Sequence, residues 1–132
     1  MNFQRMFSGA PWEEHVGHCR ALSAGSHIYV TGTVPIDAQG TCFAPDDAYS
    51  QTRRCLEIIE RTLQDLGAGL ICEVRTRLFV TDIRRCEEYG RAHSEMFAGN
   101  PPATSMVQVS ALIDPAMLVE IESDGFCPKQ DW

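Results

Sequence analysis

Residues 46–67 put their apolar side chains in helical step: Thr52, Cys55, Leu56, Ile59, Leu63 and Leu66 recur at i, i+3, i+4 and i+7 until Gly67 ends the run. On both sides of this segment the step is two. Residues 26–33 (SHIYVTGT) set Ile28 and Val30 against His27, Tyr29 and Thr31, and their β-branched content suits a strand. Residues 18–24 read as its partner with Gly25 in the turn, and residues 35–45 read as a loop punctuated by Pro, Gly and Asp. Residues 73–81 alternate again, with Val74, Thr76, Leu78 and Val80 on one side and Arg75, Arg77 and Phe79 on the other. Asp82 can cap a second helix running to about Phe97 with Tyr89, Ala92, His93 and Met96 as its inner stripe, before Gly99 and Pro101-Pro102 stop it. Two more strands, 104–112 and 117–124, are separated by a turn at Asp114-Pro115.

The expected order is therefore β-β-loop-α-β-α-β-β, with room for one more strand at the N-terminus. This is an α+β fold: one mixed sheet with two helices, which cover only one of its faces. Strand parity predicts which face is which. Val107, Val109 and Ala111 form one apolar set and Met117, Val119 and Ile121 another, both assigned with residues 74–80 to the helix side. The opposite face then carries Arg75, Arg77, Gln108, Glu120 and Glu122 beside Phe79, Met106 and Leu118. Such a mixture suits a subunit interface holding polar pockets, and the plainer alternative is a solvated sheet face.

At 132 residues with 44% hydrophobic content, the chain fits one domain, residues 1–132. No run reaches the ~18 apolar residues of a membrane span, and the N-terminus lacks signal-peptide grading, which predicts a cytoplasmic protein with no membrane partner. The six cysteines are scattered without a C-x-x-C pair and read as reduced, mostly buried thiols. Eighteen acidic residues against eleven basic ones leave a net charge of −7, the wrong sign for neutralising phosphates, so nucleic acid is not an expected partner. Ten of the cations are arginines, and Lys129 is the one lysine that Schiff-base chemistry would have available. His15 and His18 are three apart on a segment read as loop to strand, which does not align them on a metal, and no phosphate-binding glycine loop occurs. Neither metal nor cofactor is expected.

Several blocks together carry a resemblance. The stretch 25–33 followed by VPID, the helix DDAYSQTRRCLEIIERTL, then GA, then VRTRLFVTDI, and finally PPATSMVQVSALIDPAMLVEIES resemble the Rid (YjgF-type) family over nearly the whole chain. That resemblance implies a chorismate-mutase-like fold of βαβ repeats, a homotrimer whose sheets face an inner β-barrel, and small-molecule clefts between subunits. It also implies a hydrolase that converts reactive enamines and imines to a carbonyl compound and ammonia. The family's substrate-clamping arginine lies in a P-A-R-S-type motif, which here reads Pro102-Ala103-Thr104-Ser105, so position 104 is a threonine. A bidentate arginine makes two charge-assisted bonds of ~1.5 to 3 kcal/mol each, whereas a threonine offers one neutral hydroxyl. Recognition must therefore differ in this chain.

Glu120 falls on the family's acidic strand position, where it would orient water or accept its proton; the alternative is an ion pair with Arg75 or Arg77. His18 stands where the family has a tyrosine and can exchange protons near neutral pH. Thr31 takes the place of a small hydroxyl residue before glycine. Thr31, Thr104, Met106, Arg77 and Trp12 complete the candidate substrate-binding set. Arg77 is read either as a replacement anion receptor or as a salt-bridge partner of Glu122, and Trp12 either as a cleft wall or as part of a subunit contact. The expected function is an imine or enamine deaminase with altered substrate; the alternative is a small-molecule-binding trimer without the chemistry, and RNA cleavage ranks third.

Overall fold

The computed structural model of the chain describes residues 3–128. Its elements are β1 (Phe3–Met6), α1 (Pro11–Val16), β2 (Ala21–Ala24), β3 (His27–Thr33), α2 (Ala48–Asp65), β4 (Glu73–Val80), α3 (Cys86–Met96), β5 (Ala103–Gln108) and β6 (Val119–Phe126). The strands form one sheet in the order β1-β2-β3-β6-β4-β5, antiparallel except for the β4–β5 pair. That parallel pair is the one that α3 crosses over, as a parallel connection requires.

Local chemistry sets the helices. Asp47 accepts a hydrogen bond from the Ser50 amide at 3.0 Å and caps α2, and Cys55, Leu56, Ile59 and Leu63 on its inner stripe have no accessible surface. Each large apolar side chain so buried contributes roughly 1.5–3 kcal/mol. Gln51 is buried beside them because all its polar atoms are used: its amide donates to the carbonyls of Ala44 and Ala116, and its oxygen accepts from the Leu118 amide. Asp82 caps a single 3-10 turn, residues Ile83–Arg85, from which α3 continues with Tyr89 and Ala92 against the core.

Three expectations change. Helix α1 lies in a segment read as loop and strand; it starts on Pro11 and ends at Gly17 in the left-handed region, but its six residues are too few to show a period. Strand β4 has a register shift between Glu73 and Arg75, which turns Glu73 inward and leaves Val74 50% exposed instead of under the helices. Strand β5 has the parity opposite to the one expected. Thr104, Met106 and Gln108 stand opposite Thr76, Leu78 and Val80 on the helix side, Met106 packs against the core, and Val107 is 47% exposed. The strand lies at the sheet edge, where the more apolar residue set need not face inward.

The cysteines also need correction. Cys72 and Cys127 are joined in a disulfide, whereas Cys19, Cys42, Cys55 and Cys86 are free, with Cys42 and Cys55 buried. The bridging residues are 55 apart in sequence, but antiparallel pairing of β4 with β6 brings their Cα atoms to 5.2 Å, within disulfide reach. Lys129 lies outside the described residues.

Candidate functional site

The open face of the sheet carries a trough of about 660 Å³ near its β1 edge. Its floor is the outward row Leu22, Tyr29, Thr31, Glu122 and Asp124 from β2, β3 and β6, and its wall comes from α1 and the link that follows, with Glu14, His18 and Cys19. Glu13 anchors that wall. Its carboxylate accepts from the Ser8 amide at 3.0 Å, the Gly9 amide at 3.2 Å and the Ser8 hydroxyl. Burial works to raise its pKa, but these donors prevail and hold it below the ordinary value. The His18 amide donates to the Glu13 carbonyl at 2.9 Å, while His18 Nδ1 is shut from solvent with no hydrogen-bond partner among the described residues.

Beside the trough, β3 bulges between Val30 and Thr33 and takes the Thr31 and Gly32 carbonyls off the ladder. Arg20 satisfies them: its Nη2 donates to Thr31 O at 3.0 Å, to Gly32 O at 3.4 Å and to the Thr33 hydroxyl. Above the bulge lies Glu120, whose Oε2 occupies the space that a Cβ on residue 32 would need, so any larger residue there would displace this carboxylate from its position. Among the described residues no cation pairs with Glu120. Arg77 bonds instead to Asp124 at 3.1 Å and approaches Glu122 at 3.5 Å. Burial and the neighbouring Glu122 raise the Glu120 pKa above the ordinary carboxylate value, and Arg20 offsets this only in part.

This arrangement has known relatives. The family model described as "Endoribonuclease L-PSP" matches residues 11–125. The chain belongs to the YjgF/YER057c/UK114, or Rid, family. The crystal structure of a member from Mycobacterium tuberculosis superposes with a TM-score of 0.86 at 42% identity, covering 95% of this chain and 99% of that one. A Rid-family structure from Yersinia pestis gives 0.78 at 31% identity over 83% and 86% of the two chains. A RutC family protein of Pyrococcus abyssi is 30% identical over 83% of this chain and 85% of its own length.

Against the Rid pattern, the chain brings together some of the candidate residues and separates others. His18 and Thr31 line the trough, and Glu120 flanks it at Gly32. Thr104 and Met106 are on the other side of the sheet, so the expectation that Arg77 shares a face with position 104 fails: Arg77 points to the open face and Thr104 to the helices. The Thr104 hydroxyl donates to Pro102 O at 3.2 Å and lies 2.8 Å from the Thr76 hydroxyl, which in turn lies 2.8 Å from His93 Nε2. Burial lowers the His93 pKa and keeps that imidazole neutral at pH 7. Trp12 is on the exposed side of α1, outside the trough lining.

Sequence reasoning missed Arg20, Gly32 and His93. The first two would be findable only from a bulge, which leaves no periodic trace, and His93 was concealed within an apolar helix stripe. Among the described residues no group of three or more His, Cys, Asp or Glu side chains forms a metal cluster, and no helix is long and apolar enough to cross a membrane.

Proposed function

We propose that this Rid-family chain hydrolyses a small reactive imine or enamine in the open-face trough, with neighbouring copies of a trimer closing it in the cytoplasm. The observation that carries this reading is Glu120: a half-buried carboxylate in no salt bridge among the described residues, its pKa raised by burial, set against the β3 bulge at Gly32. Such a group is a stronger base than an ordinary carboxylate and can take a proton from water and return it.

An enamine first tautomerises to the imine. Water oxygen then bonds to the imine carbon, the C=N π pair moves to nitrogen, and Glu120 takes the proton that water loses. Glu120 returns that proton to nitrogen to give the neutral carbinolamine. It then takes the hydroxyl proton and passes it to nitrogen, so that the C=O bond forms as the C–N bond breaks, ammonia leaves with the C–N pair, and Glu120 is again a carboxylate. In the net change one neutral imine and one water become one carbonyl compound and one ammonia. His18 and Thr31 bound the substrate on the trough side.

The test generates imines and enamines in situ and follows ammonia release with and without protein. We expect acceleration over buffer, reduced about 10²-fold by Glu120→Gln, in line with the loss of one general base. Absence of acceleration for every imine would leave the second reading, a binding trimer without chemistry. That reading is favoured by Thr104, a neutral residue already hydrogen-bonded to Pro102 at the motif position. The word endoribonuclease in the family description is not carried to this chain, whose net charge of −7 opposes an electrostatic hold on RNA.

A further inference from the structure

We infer that the trough selects a cationic ligand, an iminium or amine bearing no carboxylate, over the anionic acids that an arginine clamp would hold. This rests on the proposal that the trough is the ligand site and adds its charge preference. The lining contains four carboxylates, Glu13, Glu14, Glu122 and Asp124, against one guanidinium, Arg5. Arg5 stands over the Phe3 ring, 5.8 Å from its centroid. Two other cations lie nearby: Arg20, behind the bulge, whose charge acts on Glu13 and Glu120, and Arg77, which is paired with Glu122 and Asp124. Arg77 offsets one of these two charges, so the floor remains negative.

Position 104 supplies no cation either, and its hydroxyl already serves Pro102 and Thr76 on the other face of the sheet. Two aromatic side chains, Phe7 and Tyr29, line the same space with 63% and 48% of their surface exposed, and an aromatic face attracts a cation but not an anion.

The chemistry agrees with this choice. A protonated imine places positive charge where water must attack, and adjacent carboxylates favour that form over the neutral imine. The step balances in atoms and charge, since one iminium cation and one water become one carbonyl compound and one ammonium ion. Water oxygen bonds to carbon, the C–N bond breaks, and both water protons finish on nitrogen by way of Glu120.

Pyrrolidinium and cyclopentanecarboxylate have similar ring size and opposite charge, and their binding to the intact protein can be compared by calorimetry or NMR titration. Pyrrolidinium is expected to bind at least about tenfold tighter, a gap of ~1.4 kcal/mol, which narrows as salt rises. Arg77→Gln, which releases two carboxylates, should widen the gap; Glu122→Gln with Asp124→Asn should narrow it. Equal affinities, or tighter binding of the anion, would overturn the inference. A kinetic arm separates it from the proposal beneath it, by comparing an imine made by a flavin amine oxidase from a simple amine with a 2-imino acid made by an amino-acid oxidase. Faster hydrolysis of the imino acid refutes the charge preference and leaves the hydrolase standing. Hydrolysis of neither, with pyrrolidinium still preferred, refutes the hydrolase and leaves the charge preference standing.

Discussion

On the helix side of the sheet, Leu78, Val80, Val119 and Ile121 have no accessible surface, whereas on the other side Tyr29, Val74 and Val107 keep 48%, 50% and 47% of theirs. Strand β4 supplies members of both sets. The covered face is apolar, and its polar members include Gln51, fully hydrogen-bonded, and Glu73, one oxygen of which accepts from Ser123 while the other is buried without a partner among the described residues. The open face carries ions in pairs, an unpaired acid and apolar side chains that nothing in the chain covers. The first arrangement stabilises the fold and tolerates little change; the second contributes little to the fold and leaves groups free to meet a ligand or another copy.

The contrast can be broken first on the covered side. Leu56→Ala removes a fully buried side chain and should cost about 2–5 kcal/mol in urea unfolding. A loss below ~1 kcal/mol would mean that this face is less tightly packed than described.

Glu73 is the next largest effect and has the opposite sign. Burial pushes its pKa up to about 7, with the Ser123 hydroxyl opposing and Asp124 adding to the rise. In the unfolded chain a glutamate titrates near its ordinary value, so between there and pH 7 the unfolded state sheds a proton that the folded state keeps. Stability is then full below the unfolded value, falls as pH rises, and reaches its floor above about 7. Glu73→Gln should remove that dependence, stabilising the protein by about 3 kcal/mol at pH 8 and by almost nothing at pH 4. Chemical denaturation at the two pH values measures it, and equal effects at both would show that Glu73 ionises freely.

On the open face the effect on folding should be smallest. Val107→Asp is expected to shift the unfolding free energy of dilute chains by no more than ~0.5 kcal/mol, and the trimer proposed above should come apart into single chains in sedimentation. A destabilisation as large as that of Leu56→Ala would erase the distinction between the faces.

The sequence made some of this legible and not the rest. Helix α2 was readable to within a residue or two because an unbroken helical period runs from residue 46 to its terminator at Gly67, whereas its cap, Asp47, came from the structure. The hairpin of β2 and β3 was readable through Gly25. The facing of β5 was not, because Thr104, Met106 and Gln108 look less apolar than Val107 and Val109, and an edge strand answers to whatever lies beside it. Pairing of Cys72 with Cys127 depends on β4–β6 register across 55 residues, which no local pattern encodes. At the site, His18, Thr31 and Glu120 were individually visible. The bulge that sets Glu120 over Gly32, and the guanidinium of Arg20 that satisfies its carbonyls, required the fold.

Strand β5 pairs with β4 along one side only, so its outer border offers amide and carbonyl groups to any passing extended chain. Pro101 and Pro102 stand immediately before it, and neither has an N–H to donate. Any strand that docked there would find a ladder six residues long with a closed end, enough for a finite partner and too short to seed a growing fibril.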